Sequence, residues 1–229
     1  MRTHILLILL IFSFEVINSQ EKVSEYDKVE FIDGIVKEGK IKKNLKGEIL
    51  TNKQLKFCDT RGLNCVKYPI NEIDNVTVAP SKLIFKQLKE INSKNPGKRY
   101  KKLLEKNKDP NRFKIETYIE YYKVLLSPKK GTRNLYKLKY SGKSADFYIR
   151  EVTTNDLRLS TNIEVITKPN SIIIEYKYNS SGHNKKRDLE KLSEYFKDCS
   201  VFINELKKKN VHKKQDLNYF YKLSDQCAL

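Results

Sequence analysis

Short alternating runs of apolar and polar residues follow the N-terminal segment. The alternation predicts strands at residues 29–32, 35–41, 50–57, 66–68 and 75–78, because successive side chains of a strand point to opposite faces. Asp33-Gly34 is a typical hairpin turn, Gly47 marks a bend, and residues 69–74 are typical of one short helical turn. Such closely spaced strands predict a small, strongly bent β-barrel of the SH3-like or Sm-like kind over residues 20–79.

The pattern becomes helical after the last of these strands. Ser81 is a suitable N-cap, and Ile84, Leu88 and Ile91 recur at spacings of four and three, which predicts an amphipathic helix. The stretch that follows is rich in lysine and has few apolar residues. We therefore expect residues 80–112 to form a basic helical connector.

Residues 113–180 have a β-like composition. Runs of aromatic and β-branched residues predict strands at 118–126, 134–140, 147–152, 157–167 and 172–178. Gly, Pro, Asn and Asp occupy the breaks between these runs, and these residue types favour turns. This part of the chain therefore predicts an antiparallel β-meander.

The last segment, residues 181–229, has helical periodicity. Apolar residues recur every three or four positions at Leu189, Leu192, Phe196, Cys199, Phe202 and Leu206, and again at Leu217, Phe220 and Tyr221. A polar break separates the two stripes, so they predict an α-helical hairpin. The fold class is therefore predicted as α+β: an N-terminal SH3/Sm-like small β-barrel, the basic helical connector, the antiparallel β-meander and the C-terminal α-helical hairpin.

The first 19 residues have the layout of a secretory signal peptide. A positively charged start, Met1–His4, precedes an apolar run that ends before Glu15. A membrane-spanning helix needs about 20 apolar residues, and this run is about half as long. We expect cleavage after Ser19, and hence an exported protein in the periplasm, at the cell surface or outside the cell.

The chain contains four cysteines, which allow three pairings. Cys58 and Cys65 flank a turn-rich hexapeptide between two β-prone runs, where cross-strand β-carbons come within disulfide reach. Cys199 and Cys227 lie on either side of the polar break at residues 210–214 and meet if that break joins antiparallel helices. A zinc site is the alternative, but it normally needs C-x-x-C pairs or nearby histidines. Disulfides 58–65 and 199–227 are the favoured prediction.

Positive charge is the unusual feature of the composition. The chain has 46 Lys and Arg against 28 Asp and Glu, a formal net charge of +18. Basic residues cluster at 94–112, 185–187 and 207–214, and such clusters can bind polyanions through counterion release or attach to anionic membrane surfaces. The candidate polyanion-binding residues are Lys98, Arg99, Lys101 and Lys102. The alternative is a generally basic surface without a site, since lysine outnumbers arginine and arginine is preferred for bidentate phosphate recognition.

Catalytic and metal-binding motifs do not occur in the sequence. It has no G-x-S-x-G, H-E-x-x-H or P-loop pattern, and His183 and His212 lie in lysine-rich, polar surroundings. The sequence therefore indicates no catalytic or metal residue and no small-molecule cofactor. It predicts a non-enzymatic protein with a structural or binding role, whose partners are an anionic polymer, a membrane surface or an envelope protein. A polyanion-binding protein for lipopolysaccharide, anionic polysaccharide or extracellular DNA, and an enzyme that acts on envelope polymers, are the alternatives.

Several short motifs resemble a known group of proteins. They are Asp33-Gly34, Glu38–Ile41, Tyr68–Ile70, Ile73–Val76, Asn134–Tyr136, Phe147–Arg150 and Tyr195–Cys199, followed by Leu217 and Cys227. Together they resemble uncharacterised exported proteins of Bacteroidetes bacteria that have an N-terminal small β-barrel and a Cys-stapled C-terminal helical hairpin. Ser200 departs from this group, in which Pro often follows the first helical Cys. The resemblance implies a periplasmic or surface location and no known catalytic residue.

Overall fold

The computed structural model describes residues 24–43, 49, 53–93, 95–106, 113–153, 160–180, 185–208 and 217–227. The chain forms two compact units. One comprises Met1–Glu25 and Ala79–Ile119, and the other comprises Tyr26–Val78 and Glu120–Leu229. The described part of the first unit is mainly helical, and the second unit holds the β-sheet. The predicted signal peptide lies outside the described residues.

The second unit is built on one ten-stranded sheet in which all neighbouring strands are antiparallel. Its strands are β1 (Asp27–Phe31), β2 (Val36–Ile41), β3 (Gln54–Cys58), β4 (Val66–Pro69), β5 (Ile73–Val78), β6 (Glu120–Ser127), β7 (Thr132–Ser141), β8 (Asp146–Thr153), β9 (Ser160–Thr167) and β10 (Tyr176–Ser180). They lie in the order β10-β9-β8-β7-β6-β5-β1-β2-β3-β4. Strands that follow one another in the chain are therefore neighbours in the sheet, except β4 and β5, because β5 returns beside β1. The connection from β5 to β6 is long and contains Ala79–Ile119 of the first unit.

The N-terminal strands lie close to the predicted positions. The β1–β2 turn uses Gly34 at φ +83°, a conformation that glycine adopts without steric cost, and the Asp33 carboxylate accepts the Ile35 N–H at 3.0 Å. The predicted helical turn before β5 is a 3₁₀ turn at Ile70–Glu72. Alternation along these strands buries Val29, Leu55, Ile73 and their neighbours in one apolar cluster.

The predicted small β-barrel is wrong. Strand β5 pairs with β1 on one side and with β6 on the other, for example Val76 with both Val29 and Tyr122. The first five strands therefore continue into the meander as one sheet, and β4 lies at its edge. Alternation in a sequence shows which residues face the core, but it does not show which strand uses the free backbone edge of β5.

The first unit contains the predicted amphipathic helix, α1 (Lys82–Ile91), in which Ser81 accepts the Ile84 N–H at 3.3 Å as the N-cap. Phe85, Leu88 and Ile91 form its buried face. A second helix, α2 (Lys98–Lys106), follows, and a 3₁₀ turn spans Ile115–Tyr118. The basic stretch is therefore helical over the described residues of α2.

Among the residues that the structure describes after β10, three further helices occur: α3 (Lys185–Tyr195), α4 (Ser200–Lys207) and α5 (Leu217–Leu223). A 3₁₀ turn at Ser224–Gln226 continues α5. Their buried apolar side chains pack against the sheet in one cluster. The helical segment contributes Leu189, Leu192, Phe196, Phe202, Phe220 and Tyr221, and the sheet contributes Phe147, Ile166 and Tyr178. The predicted helical hairpin is therefore wrong. The helical period was correct, but it specifies an apolar stripe and not the surface that covers it. The described fold is mainly β, with short helices, and not the predicted α+β arrangement of barrel and hairpin.

Both predicted disulfides are present in the structure. Cys58 at the end of β3 is bonded to Cys65 across the hairpin loop, and Cys199 before α4 is bonded to Cys227 after the last 3₁₀ turn. The alternative zinc site is thereby excluded for these cysteines. Disulfides persist in oxidising compartments, so the pairing agrees with export. Within the described residues, no helix has the length and apolar character needed to cross a bilayer.

Candidate functional site

Buried carboxylates are the first candidates for chemistry, because catalytic acids and bases are often buried. Glu164 on β9 is 5% exposed. It accepts hydrogen bonds from the hydroxyls of Tyr178 on β10 at 2.6 Å and Tyr221 on α5 at 2.9 Å. Burial, together with the charge of Glu164, raises the pKa of both tyrosines above the ordinary value. Glu164 therefore joins two strands of the sheet to the last helix.

Asp188 lies close to this group. It belongs to the first turn of α3, is almost fully buried, and accepts the Ser180 hydroxyl at 3.0 Å. Its negative charge contributes to the raised pKa of Tyr178 and Tyr221. The contact links the start of α3 to the end of β10.

The same pairing of tyrosine with a carboxylate occurs at the C-terminal 3₁₀ turn. Asp225 accepts the Tyr140 hydroxyl at 2.6 Å and the Lys143 N–H at 2.7 Å. The hydrogen bond to Asp225 is the main cause that raises the pKa of Tyr140 to about 12. Gly142 lies so near that a β-carbon there would be 2.3 Å from the Asp225 carboxylate. This contact ties the β7–β8 hairpin to the C-terminal turn.

These carboxylates share a common arrangement, in which each accepts hydrogen bonds from donors of the protein itself, usually on a different element. Two further pairs have this arrangement: the Tyr176 hydroxyl donates to Glu194 at 2.6 Å, and the Tyr195 hydroxyl donates to Glu175 at 2.7 Å. The tyrosine–carboxylate pairs therefore act as links between the helices and the sheet.

An open groove lies beside the Cys58–Cys65 disulfide, with a volume of about 310 Å³. Its lining residues are Lys37, Glu38, Phe57, Cys58, Asp59, Asn64, Val66 and Tyr68. The Lys37 ammonium group donates a hydrogen bond to the Tyr68 hydroxyl oxygen at 2.9 Å and lies 4.8 Å from the ring centroid, beyond the hydroxyl end of the ring. A β-carbon on Gly39 would lie 2.1 Å from the Cys58 carbonyl oxygen and 2.8 Å from the Phe57 ring. Only glycine therefore allows β2 to approach β3 at this point.

The charges around this groove are mixed. Asp59 accepts backbone N–H groups of Leu63 and Arg61 and the side chain of Asn64, and the Leu63 hydrogen bond is the largest cause that lowers the pKa of Asp59. The carboxylate of Asp59 thus shapes the disulfide-closed loop. With Lys37, Glu38 and Asp59 on the same groove, its chemistry selects neither an anionic nor a cationic ligand.

The predicted polyanion residues lie together on α2. Lys98, Lys101 and Lys102 are exposed there, as is Lys106. Arg99 belongs to the same helix, and its side chain lies outside the described part. Residues three or four apart are neighbours on a helix surface, so Lys98 adjoins Lys101 and Lys102, and Lys102 adjoins Lys106. None of these four lysines forms an ion pair with another described residue.

The other basic clusters are only partly described. Lys186 and Arg187 are exposed at the start of α3. Lys208 forms an ion pair with Glu205, and this hydrogen bond raises the pKa of Lys208. Lys207 is exposed at the end of α4. The side chain of Lys185 and the residues Lys209, Lys213 and Lys214 lie outside the described part, as do Lys94, Lys108 and Arg112 of the first cluster. Of the three clusters, α2 therefore offers the largest described set of exposed lysines that are not ion-paired.

His183 and His212 lie outside the described residues. Within the ranges that the structure describes, no three His, Cys, Asp or Glu side chains are grouped closely enough to hold a metal ion. Comparison of the chain with protein-family models, with curated proteins and with solved structures finds no match. An interpretation of function therefore depends on the site geometry of this chain.

Sequence reasoning missed the Glu164 cluster and the Asp225 contact. A weak signal existed for the first, since Glu164 interrupts the apolar run Ile163–Ile166 in the middle of a strand. A charged residue at such a position is buried only when it is paired. Its partners Tyr178 and Tyr221 are 14 and 57 residues away, so no local pattern connects them.

Proposed function

We propose that the chain is an exported, non-enzymatic protein of the cell envelope, located in the periplasm or at the cell surface, that binds anionic ligands through the basic side of α2. The observation that carries the proposal is the set of exposed lysines on this helix, Lys98, Lys101, Lys102 and Lys106. These ammonium groups have no carboxylate partner among the described residues, so their charge is available to an external anion.

Two observations support the envelope location. The apolar run before Ser19 has the length of a signal-peptide core, and disulfides persist in an oxidising compartment. The short motifs that resemble exported Bacteroidetes proteins agree with this location. Support for binding in place of catalysis comes from Glu164 and Asp225, which accept hydrogen bonds from tyrosine and backbone donors of the protein itself and so link its elements.

Affinity for heparin and for double-stranded DNA, measured as a function of salt concentration, tests the proposal. Each phosphate neutralised on double-stranded DNA changes log K by about −0.9 per unit of log salt, so four contacts give a slope of about −3.6 on that polymer. We expect the wild-type protein to bind both polymers with a steep salt dependence. Changing Lys98, Arg99, Lys101 and Lys102 to Gln should flatten the slope and leave the melting temperature unchanged, because exposed lysines contribute little to folding.

A matched control removes the same charge elsewhere. Lys56, Lys67, Lys129 and Lys130 are exposed and lie outside α2, so their four Gln substitutions lower the net charge by an equal amount. We expect the control to keep most of the affinity and slope. Equal losses in the two variants would show that binding follows overall charge and not a site, and would refute the proposal.

A further inference from the structure

The basic helix α2 also exposes two large apolar side chains. Leu103 is 42% exposed and Leu104 is 39% exposed. Scattered exposed leucines are common on soluble proteins, but these two are adjacent in sequence and belong to a helix that otherwise consists mostly of lysine. Nothing within the described residues covers them to the extent seen at Leu88 of α1, which is 3% exposed.

The leucines lie opposite the centre of the lysine cluster. Successive residues of an α-helix are rotated by about 100° around its axis. The mean direction of Leu103 and Leu104 is therefore about 160° around α2 from the mean direction of Lys98, Lys101 and Lys102. Two lysines border the apolar side, because Lys101 is three residues before Leu104 and Lys106 is three residues after Leu103. The helix is therefore amphipathic: Leu103 and Leu104 form a short apolar stripe bordered by Lys101 and Lys106, and the opposite side carries the lysines together with Glu105.

From this arrangement we propose that α2 docks on anionic lipid bilayers, with Leu103 and Leu104 inserted at the boundary between headgroups and acyl chains. This inference rests on the proposed anion-binding role of α2 and adds the class of its ligand. A soluble polyanion offers charge but no apolar phase, so it satisfies the lysines and leaves the leucines in water. A bilayer surface with anionic headgroups satisfies both.

The lysine geometry suits such a surface. Long lysine side chains can extend their ammonium groups to headgroup phosphates while the stem lies against apolar groups. Lys101 and Lys106, which border the leucines, are in position to do this. Each lysine near an anionic leaflet raises the partition coefficient roughly fivefold, and burial of two partly exposed leucines adds at least about tenfold.

A tryptophan introduced on α2 gives a direct test. The chain contains no tryptophan, so Leu104→Trp places the only indole on the apolar stripe. We expect its emission to shift to shorter wavelength when the protein binds vesicles of phosphatidylglycerol and phosphatidylcholine, and to stay unchanged with heparin. Leu83→Trp is the matched control, because Leu83 is 67% exposed on α1, and its emission should not shift in either case.

Vesicle sedimentation measures how much the two leucines contribute to the partition of the protein onto lipid vesicles. The variant L103Q/L104Q should lose about tenfold or more in partition to the phosphatidylglycerol vesicles and keep its heparin affinity within about twofold. The control L63Q/L83Q changes two leucines that are 58% and 67% exposed outside α2, and it should bind vesicles like the wild type. Pure phosphatidylcholine vesicles should bind all variants weakly.

The possible failures are distinguishable. If the wild type binds heparin but not the anionic vesicles, or if L103Q/L104Q binds vesicles as tightly as the wild type, the lipid inference is overturned and the anion-binding role stands. An unshifted Leu104→Trp emission on bound vesicles overturns it as well. If the wild type binds neither heparin nor vesicles, the proposed function fails, and the lipid inference fails with it.

Discussion

The buried link between Glu164, Tyr178 and Tyr221 predicts a large effect from the loss of one hydroxyl. Tyr221 is 2% exposed, and its ring packs 4.5 Å from that of Phe147. Tyr221→Phe keeps this ring and removes only the donor that reaches Glu164 at 2.9 Å. The substitution therefore isolates the hydrogen bond from the packing.

The expected magnitude follows from the charge and burial of Glu164. A hydrogen bond to a charged group contributes about 1.5–3 kcal/mol, and the cost of leaving a buried charge with one donor fewer lies towards the top of that range. We expect Tyr221→Phe to lower the free energy of unfolding by about 2–3 kcal/mol at pH 7. Urea denaturation followed by circular dichroism measures this difference. Tyr121→Phe is the control, because Tyr121 is 48% exposed, and it should change stability by less than about 0.5 kcal/mol.

The same link predicts a dependence on alkaline pH. Folding raises the pKa of Tyr178 and Tyr221 above the unfolded value near 10. The unfolded chain therefore releases these protons first, so the stability that the two tyrosines contribute is complete below about pH 10 and decreases as the pH rises further. Tyr221→Phe removes one of the groups, and its difference from the wild type should shrink above pH 10. A variant as stable as the wild type at pH 7, or a difference that is constant from pH 7 to 11, would refute this explanation.

Three further predictions concern the disulfides, the β2–β3 contact and the N-terminus. The Cys199–Cys227 disulfide closes a loop of 28 residues, and Cys58–Cys65 closes one of 7. The chain-entropy relation gives them stabilisations of about 3.6 and about 2.4 kcal/mol. Replacing Cys199 and Cys227 by Ser should therefore lower the melting temperature more than replacing Cys58 and Cys65, and equal shifts would count against this expectation. Gly39→Ala should destabilise the protein by more than about 1 kcal/mol in urea denaturation, since its β-carbon would overlap the Cys58 carbonyl oxygen; an unchanged midpoint would contradict the close approach of β2 to β3. Intact-mass analysis of exported protein should give a chain that begins after Ser19, and a mature chain that retains Met1 would disprove signal cleavage.

The site residues show where prediction from the sequence reaches its limit. The lysines of α2 were found directly, because a run of like charges within one helix is visible in the sequence. Leu103 and Leu104 were visible too, but their exposure depends on what the rest of the chain covers. The Glu164 cluster was missed entirely, because its members come from β9, β10 and α5 and meet only when the sheet and helices have assembled.

The local elements and the disulfide pairing follow from patterns within the amino-acid sequence. Alternation located most strands, the 3.6-residue period and Ser81 located α1, and the spacing around Cys58 and Cys65 indicated their pairing, because each of these features depends on residues close together in the chain. The pairing of β5 with β6, which gives one continuous sheet in place of a barrel, and the packing of the C-terminal helices on this sheet are visible only in the assembled fold. Backbone hydrogen bonds at a strand edge are the same for every partner, and an apolar stripe packs against any apolar surface, so these choices depend on the whole chain and not on a local pattern.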